Sequence, residues 1–99
     1  MPKTETPRPR SSEQERPRAD GTLLYRELKT GCVLYHPVTN EAHVLNLTAA
    51  YIWNCCDGTR DVTAIAADMA KVCRVPIEEA QRDVRKALRS FRAKQLIHP

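Results

Sequence analysis

Four cysteines and three histidines are the side chains in this 99-residue chain with the chemistry of nucleophiles, bases or soft metal ligands. Cys55 and Cys56 are adjacent, while Cys32 and Cys73 stand far off in sequence. Structural zinc draws on ligand pairs roughly two to four residues apart, so that two side chains converge on one ion. No two of the cysteines are spaced in that way, and no metal ligand is expected. Cys73 and Cys56 fall on helical apolar stripes. That predicts packing, because a free thiol in a core behaves as a small hydrophobe. His36, His43 and His98 come with no supporting acid, glycine-rich phosphate loop or metal box. His43 reads as a half-exposed strand residue, and Asp57-Gly58 as a helix terminator rather than a metal loop. No catalytic residue and no cofactor are expected, and the chain is not expected to be an enzyme.

The elements that position these groups are short. Leu23 to Leu28, Cys32 to His36 and Ala42 to Leu45 are aliphatic-aromatic runs separated by Lys29-Thr30-Gly31 and by Pro37 to Asn40. Three such runs joined by tight turns predict an antiparallel meander with the third strand at an edge. The period then switches. Asn46 is a cap for a helix from Leu47 to Cys56, with Ala49, Ile52, Trp53 and Cys56 as its core face. Asp61 caps a second helix, Val62 to Cys73, whose apolar stripe is Val62, Ile65, Ala66, Met69, Val72 and Cys73. After Arg74-Val75-Pro76 a longer helix starts near Ile77, with Ile77, Ala80, Val84, Leu88 and Phe91 in its stripe. Glu78 and Glu79 open that helix and its cations crowd toward the other end, both favourable to its dipole. Leu96-Ile97 is expected to tuck back as a closing segment. The fold class is α+β, in the order β-β-β-α-α-α. Trp53 is expected to anchor the core.

The first twenty residues hold Pro2, Pro7, Pro9 and Pro17 among alternating charges, with no large aliphatic or aromatic side chain after Met1. Such a stretch buries too little apolar surface to offset its ordering entropy. Residues 1–20 are therefore expected to be a disordered Pro/Arg-rich arm, and 21–99 the folded domain. No apolar run reaches the roughly 20 residues a membrane span needs, and the N-terminus lacks a secretory apolar core. A cytoplasmic location, with reduced cysteines and no membrane partner, is expected. The third strand, Glu41 to Leu45, carries no internal Pro or Lys to blunt its edge. An open edge of this kind can accept an extended peptide through main-chain hydrogen bonds.

From Pro37 to Arg60 the chain resembles the PqqD family. The resemblance rests on Leu45-Asn46, Ala49-Ala50, Ile52-Trp53 and Cys56-Asp57-Gly58-Thr59-Arg60. It continues through Val62 and Ile65 to Asp83-Val84 and Leu88, and covers roughly Leu23 to Ile97. It implies a winged-helix-like recognition element that binds the leader region of a ribosomally made precursor peptide and presents it to a modifying enzyme, commonly a radical-SAM protein. Carried onto this chain, the guest adds as a strand beside Ala42, His43, Val44 and Leu45. It then lies against a helix stripe of Ala80, Asp83, Ala87 and Ser90, with Lys86 and Lys94 at the rim. Where members of the quinone pathway have L-L-x-P-E, this chain reads Leu34-Tyr35-His36-Pro37-Val38. It is therefore similar to the broader PqqD-like group rather than to the pathway's own member. A monomer or weak homodimer is expected.

The net charge of +4 keeps a second reading open. A DNA-binding winged helix would set its third helix in a major groove with Arg82, Arg85, Arg89 and Arg92 outward. Against it, three strands precede the helices, and Val75-Pro76 is not a tight glycine-bearing turn. No nucleic-acid partner is expected on the first reading.

Overall fold

The three apolar runs pair into one antiparallel sheet, and the first helix packs against one of its faces. The computed structural model describes residues 15–98. Its elements are β1 (Leu24–Leu28), β2 (Gly31–His36), β3 (Glu41–Asn46), α1 (Leu47–Asn54), α2 (Val62–Cys73) and α3 (Ile77–Ala93). The sheet order is β1-β2-β3, so β3 lies at an edge as expected.

Register decides which side chains face the helices. Tyr25 pairs with Leu34, which pairs with His43, and Glu27 pairs with Cys32, which pairs with Leu45. Cys32, Leu34 and Leu45 are buried, so this is the helix-covered face. Partners in a strand pair share a face, and neighbours along a strand alternate. Leu24, Arg26, Leu28, Val33, Tyr35, Ala42 and Val44 therefore lie on the outer face. Gly31 holds the sheet together at its tight end. Its φ is +150°, and an added Cβ would collide with the Leu45 carbonyl oxygen. Only glycine allows that close approach.

β3 passes into α1 without a loop. Asn46 ends the strand, and its side chain accepts a hydrogen bond from the Ala49 N–H at 2.8 Å, capping the helix. Asp61 caps α2 in the same way, through the Ala64 N–H at 2.9 Å. α2 ends at Arg74 in the left-handed region, φ 56° and ψ 48°, and α3 starts directly after Pro76. The core joins Leu34 and Cys32 of the sheet to Ile52 and Trp53 of α1, Ile65 and Met69 of α2, and Val84, Leu88 and Phe91 of α3. Leu96 and Ile97 close it, as expected. Trp53 donates its Nε1–H to the Leu96 carbonyl at 2.9 Å and stacks on Tyr25 with ring centroids 5.8 Å apart.

Four expectations need correction. Val72 and Cys73 are exposed, not core, because the last turn of α2 runs past the elements it packs on. α1 stops at Asn54 with Cys55 as its cap, so Asp57-Gly58 lies beyond the helix end. Gly58 does take a positive φ of 84°, and the Asp57 carboxylate accepts from the Thr59 N–H and hydroxyl. On α1 it is Ala50 that is buried, with Ala49 only partly so. The domain boundary also moves. Residues 1–14 lie outside the described part, but Glu15 to Asp20 is bound to the domain. Pro17 is buried, and bridges join Arg18 to Asp57 and Ala19 to Ile97. No helix among the described residues is long and apolar enough to cross a membrane.

Candidate functional site

β3 has β2 on one side, and no strand on the other among the described residues. Its outer N–H and C=O groups form the start of a ladder. No Cα of β3 comes within 8 Å of a Cα of α3, although α1 approaches both. A trough lies between α1 and α3 and opens beside the last residue of β3, Asn46. A cleft of about 390 Å³ opens there, lined by Asn46, Thr48, Ala49, Ile52, Asp83, Lys86, Ala87 and Ser90.

Each wall follows from helical spacing. Ala80, Val84, Leu88 and Phe91 point into the core, which turns the next stripe of α3 (Asp83, Lys86, Ala87, Ser90) toward the cleft. The α1 wall supplies Thr48 and Ala49 above an Ile52 floor that is itself almost fully buried. The site thus has an apolar base, hydroxyl and amide groups on its sides, and one charge of each sign.

The residues singled out from sequence divide clearly. Asp83, Lys86, Ala87 and Ser90 converge on the cleft. Ala42 and Val44 are exposed on β3, and His43 is part-buried on its helix-facing side. The Leu45 side chain is in the core, so that position offers a guest only its backbone. Ala80 does not belong to the trough wall: it is completely buried, in line with Val84 and Leu88. The α1 wall and Asn46 were not foreseen.

No chemistry-bearing cluster competes with this site. Among the described residues no group of three or more His, Cys, Asp or Glu converges as a metal site would require. Burial pushes the Cys56 thiol up to about 12, with Cys55 and Asp57 nearby adding to the effect. Burial likewise raises Cys32 and Cys55, so all three are poor nucleophiles. His43 Nε2 lies 3.4 Å from Glu41 Oε1 but has no well-aligned hydrogen bond. His36 Nε2 sits 3.3 Å from the Gln95 carbonyl oxygen. A second cavity, about 410 Å³, is lined by Asp20, Arg92, Gln95, Ile97 and His98 where the two ends of the domain meet. No edge strand borders it, so it offers no ladder to a guest. On α3, Arg92 is paired with Glu15 at 2.5 Å, which removes one of the cations the DNA reading needs outward.

The architecture defines a class: a small winged-helix-like α+β domain whose last strand leaves an open edge beside a helix. The chain belongs to the PqqD family, whose profile, described as Coenzyme PQQ synthesis protein D (PqqD), matches residues 31–97. Two solved structures share the fold. One is TbiB1 in complex with the TbiA(beta) leader peptide, at 20% identity and a TM-score of 0.71, covering 82% of this chain and 94% of that one. The other is lasso peptide synthetase B1 complexed with the leader peptide, at 21% identity and a TM-score of 0.73, covering 85% and 99%. No curated protein sequence matches the chain.

Proposed function

We propose that this protein is a peptide carrier for a biosynthetic pathway in the cytoplasm. It binds the leader region of a ribosomally made precursor by strand addition at β3, against α3, and delivers it to a modifying enzyme. A radical-SAM protein is the partner that the family resemblance suggests, and the covalent chemistry belongs to that partner. The observation that carries this reading is the open β3 edge together with the cleft between α1 and α3 that begins at the last residue of that strand, Asn46. The leader peptides bound to both structural neighbours support it.

The main-chain ladder supplies affinity without regard to sequence, and the cleft selects side chains. Lys86, beside the exposed Arg82 and Arg89, favours a guest with a carboxylate near that end. An isotope-labelled chain titrated with the leader of a short precursor encoded beside its gene tests the proposal. Affinity near ~1 μM, about −8 kcal/mol, is expected. Amide shifts should fall at Ala42 to Leu45 and at Asp83, Lys86, Ala87 and Ser90. Binding that leaves both sets unmoved, or a gene with no such neighbour, overturns it.

A further inference from the structure

The outer face of the sheet is apolar and uncovered. Antiparallel sheets with one solvated face ordinarily put polar side chains there. Here Leu24, Leu28, Val33, Tyr35 and Val44 occupy it, and Arg26 is its single charge. Leu24 is 59% exposed and Val44 70%. α1 packs on the opposite face, where Cys32, Leu34 and Leu45 are buried, and α2 and α3 pack against the helices and not against the strands.

Three features narrow the occupant. The first is size. Three strands of five or six residues, at about 4.8 Å spacing and about 3.4 Å rise, present a footprint of roughly 250 Å². A stable complex covers roughly 800 Å² on each partner, so this face by itself is too small for a lasting contact with a second copy or with any other protein, and its occupant must also touch an adjoining surface. The second is charge. Two copies placed face to face would bring in two Arg26 guanidinium groups and no carboxylate from either outer face, an arrangement that repels. The third is continuity. Ala42 and Val44 belong both to this face and to the β3 edge. A guest strand added there would widen the sheet by one strand and add its own alternate side chains to the same apolar surface.

We infer that the outer face is the docking surface for the enzyme that modifies the guest, which meets it with an apolar patch carrying a carboxylate opposite Arg26. This rests on the carrier reading above. The enzyme then contacts carrier and guest as one four-stranded surface, and guest and enzyme bind with positive coupling, each strengthening the other by the same factor.

The probes are the full chain, the precursor leader and the modifying enzyme encoded beside its gene, with affinities measured for the empty and loaded carrier. Loading should tighten enzyme binding about tenfold. Leu24→Glu and Arg26→Glu lie on β1, two strands from the guest edge. Each should weaken enzyme binding about tenfold or more while guest affinity stays within about twofold. Enzyme binding unchanged in both variants, with the guest still bound, overturns the inference and leaves the carrier reading standing. A wild-type chain that binds no guest removes both. A concentration-dependent dimer broken by Leu24→Glu would assign the face to a second copy, and shifts of the Leu24, Val33 and Val44 methyls on removing residues 1–14 would assign it to the arm. Either result overturns the inference. A melting transition within a few degrees of wild type confirms that the variants fold, as expected for exposed positions.

Discussion

Trp53 is the side chain on which distant parts of the chain meet. It sits on α1, stacks on Tyr25 of β1 and hydrogen-bonds the Leu96 carbonyl near the C-terminus. Trp53→Phe keeps an aromatic ring but loses the N–H donor and some volume. About 1–3 kcal/mol of stability should be lost, read by urea unfolding. The thiols allow a sharper test. Cys32, Cys55 and Cys56 are buried and Cys73 is exposed, so a thiol reagent should label one cysteine in the native protein and four after unfolding. Cys56 also predicts the direction of the alkaline response. Its folded-state value is raised to about 12 by burial, so its contribution to stability is intact below the ordinary thiol range near pH 9. As the pH climbs from there toward 12, the unfolded chain loses the proton first and stability falls. Melting temperatures from pH 8 to pH 11 should decline less steeply in Cys56→Ala than in wild type. Cys56 was legible from sequence as a core residue, and Cys73 was misread with it. Helical periodicity identifies a stripe but not how far the neighbouring element reaches. Val72 and Cys73 at the end of α2, like Ile77 at the start of α3, stand on a corner that projects past its partners.

The elements matter through what they leave apart. Asn46 ends β3 and caps α1 at once, so strand and helix form one continuous piece, and α3 meets that piece along α1 rather than along β3. The trough is the space this leaves. Ala87 faces it from α3 and is only partly buried, which makes it the position to fill. Ala87→Phe should cut leader affinity about tenfold or more by occupying the space a guest side chain needs, with the melting temperature nearly unchanged. Lys86→Glu should act on the rate instead. Association should slow with an acidic leader, and its salt dependence should flatten, because a rim charge steers encounter more than it holds the complex. Stopped-flow association at two ionic strengths separates these effects. Strand order and the caps at Asn46 and Asp61 were readable from local pattern, whereas the cleft stripe of α3 came from the family resemblance. Ala80 was read both ways, on the core stripe by periodicity and on the guest stripe by resemblance, and its complete burial keeps only the first. The α1 wall escaped for another reason. An eight-residue helix has barely two turns, and nothing in Thr48-Ala49 distinguishes a cleft wall from an exposed face.

At the scale of the whole molecule, the segment before the first strand is part of the fold. A Pro- and Arg-rich composition argued for a free arm as far as Asp20, and for Glu15 to Asp20 that argument fails through backbone bonding, which composition does not report. The Gly58 N–H donates to the Pro17 carbonyl at 2.9 Å, and the Ala19 N–H to that of Cys56 at 2.8 Å. The Asp20 N–H reaches the Leu96 carbonyl at 3.1 Å, and the His98 N–H that of Arg18 at 2.8 Å. The segment thereby ties the loop after α1 to the chain's last residues, across the end of the core that Leu96 and Ile97 close. A chain beginning at Glu15 keeps all four bonds and one beginning at Gly21 keeps none. At about 0.5–1.5 kcal/mol each, the four bonds make the shorter chain less stable by roughly 2–6 kcal/mol in chemical denaturation, and loss of Pro17's burial acts in the same direction. A domain of this size is stabilised by little more than that margin, so the shorter chain should be partly unfolded at 37 °C while the longer one still binds its guest. Equal unfolding midpoints for the two chains would mean that the segment merely rests on the surface. The trough would then owe its shape to the sheet and helices alone.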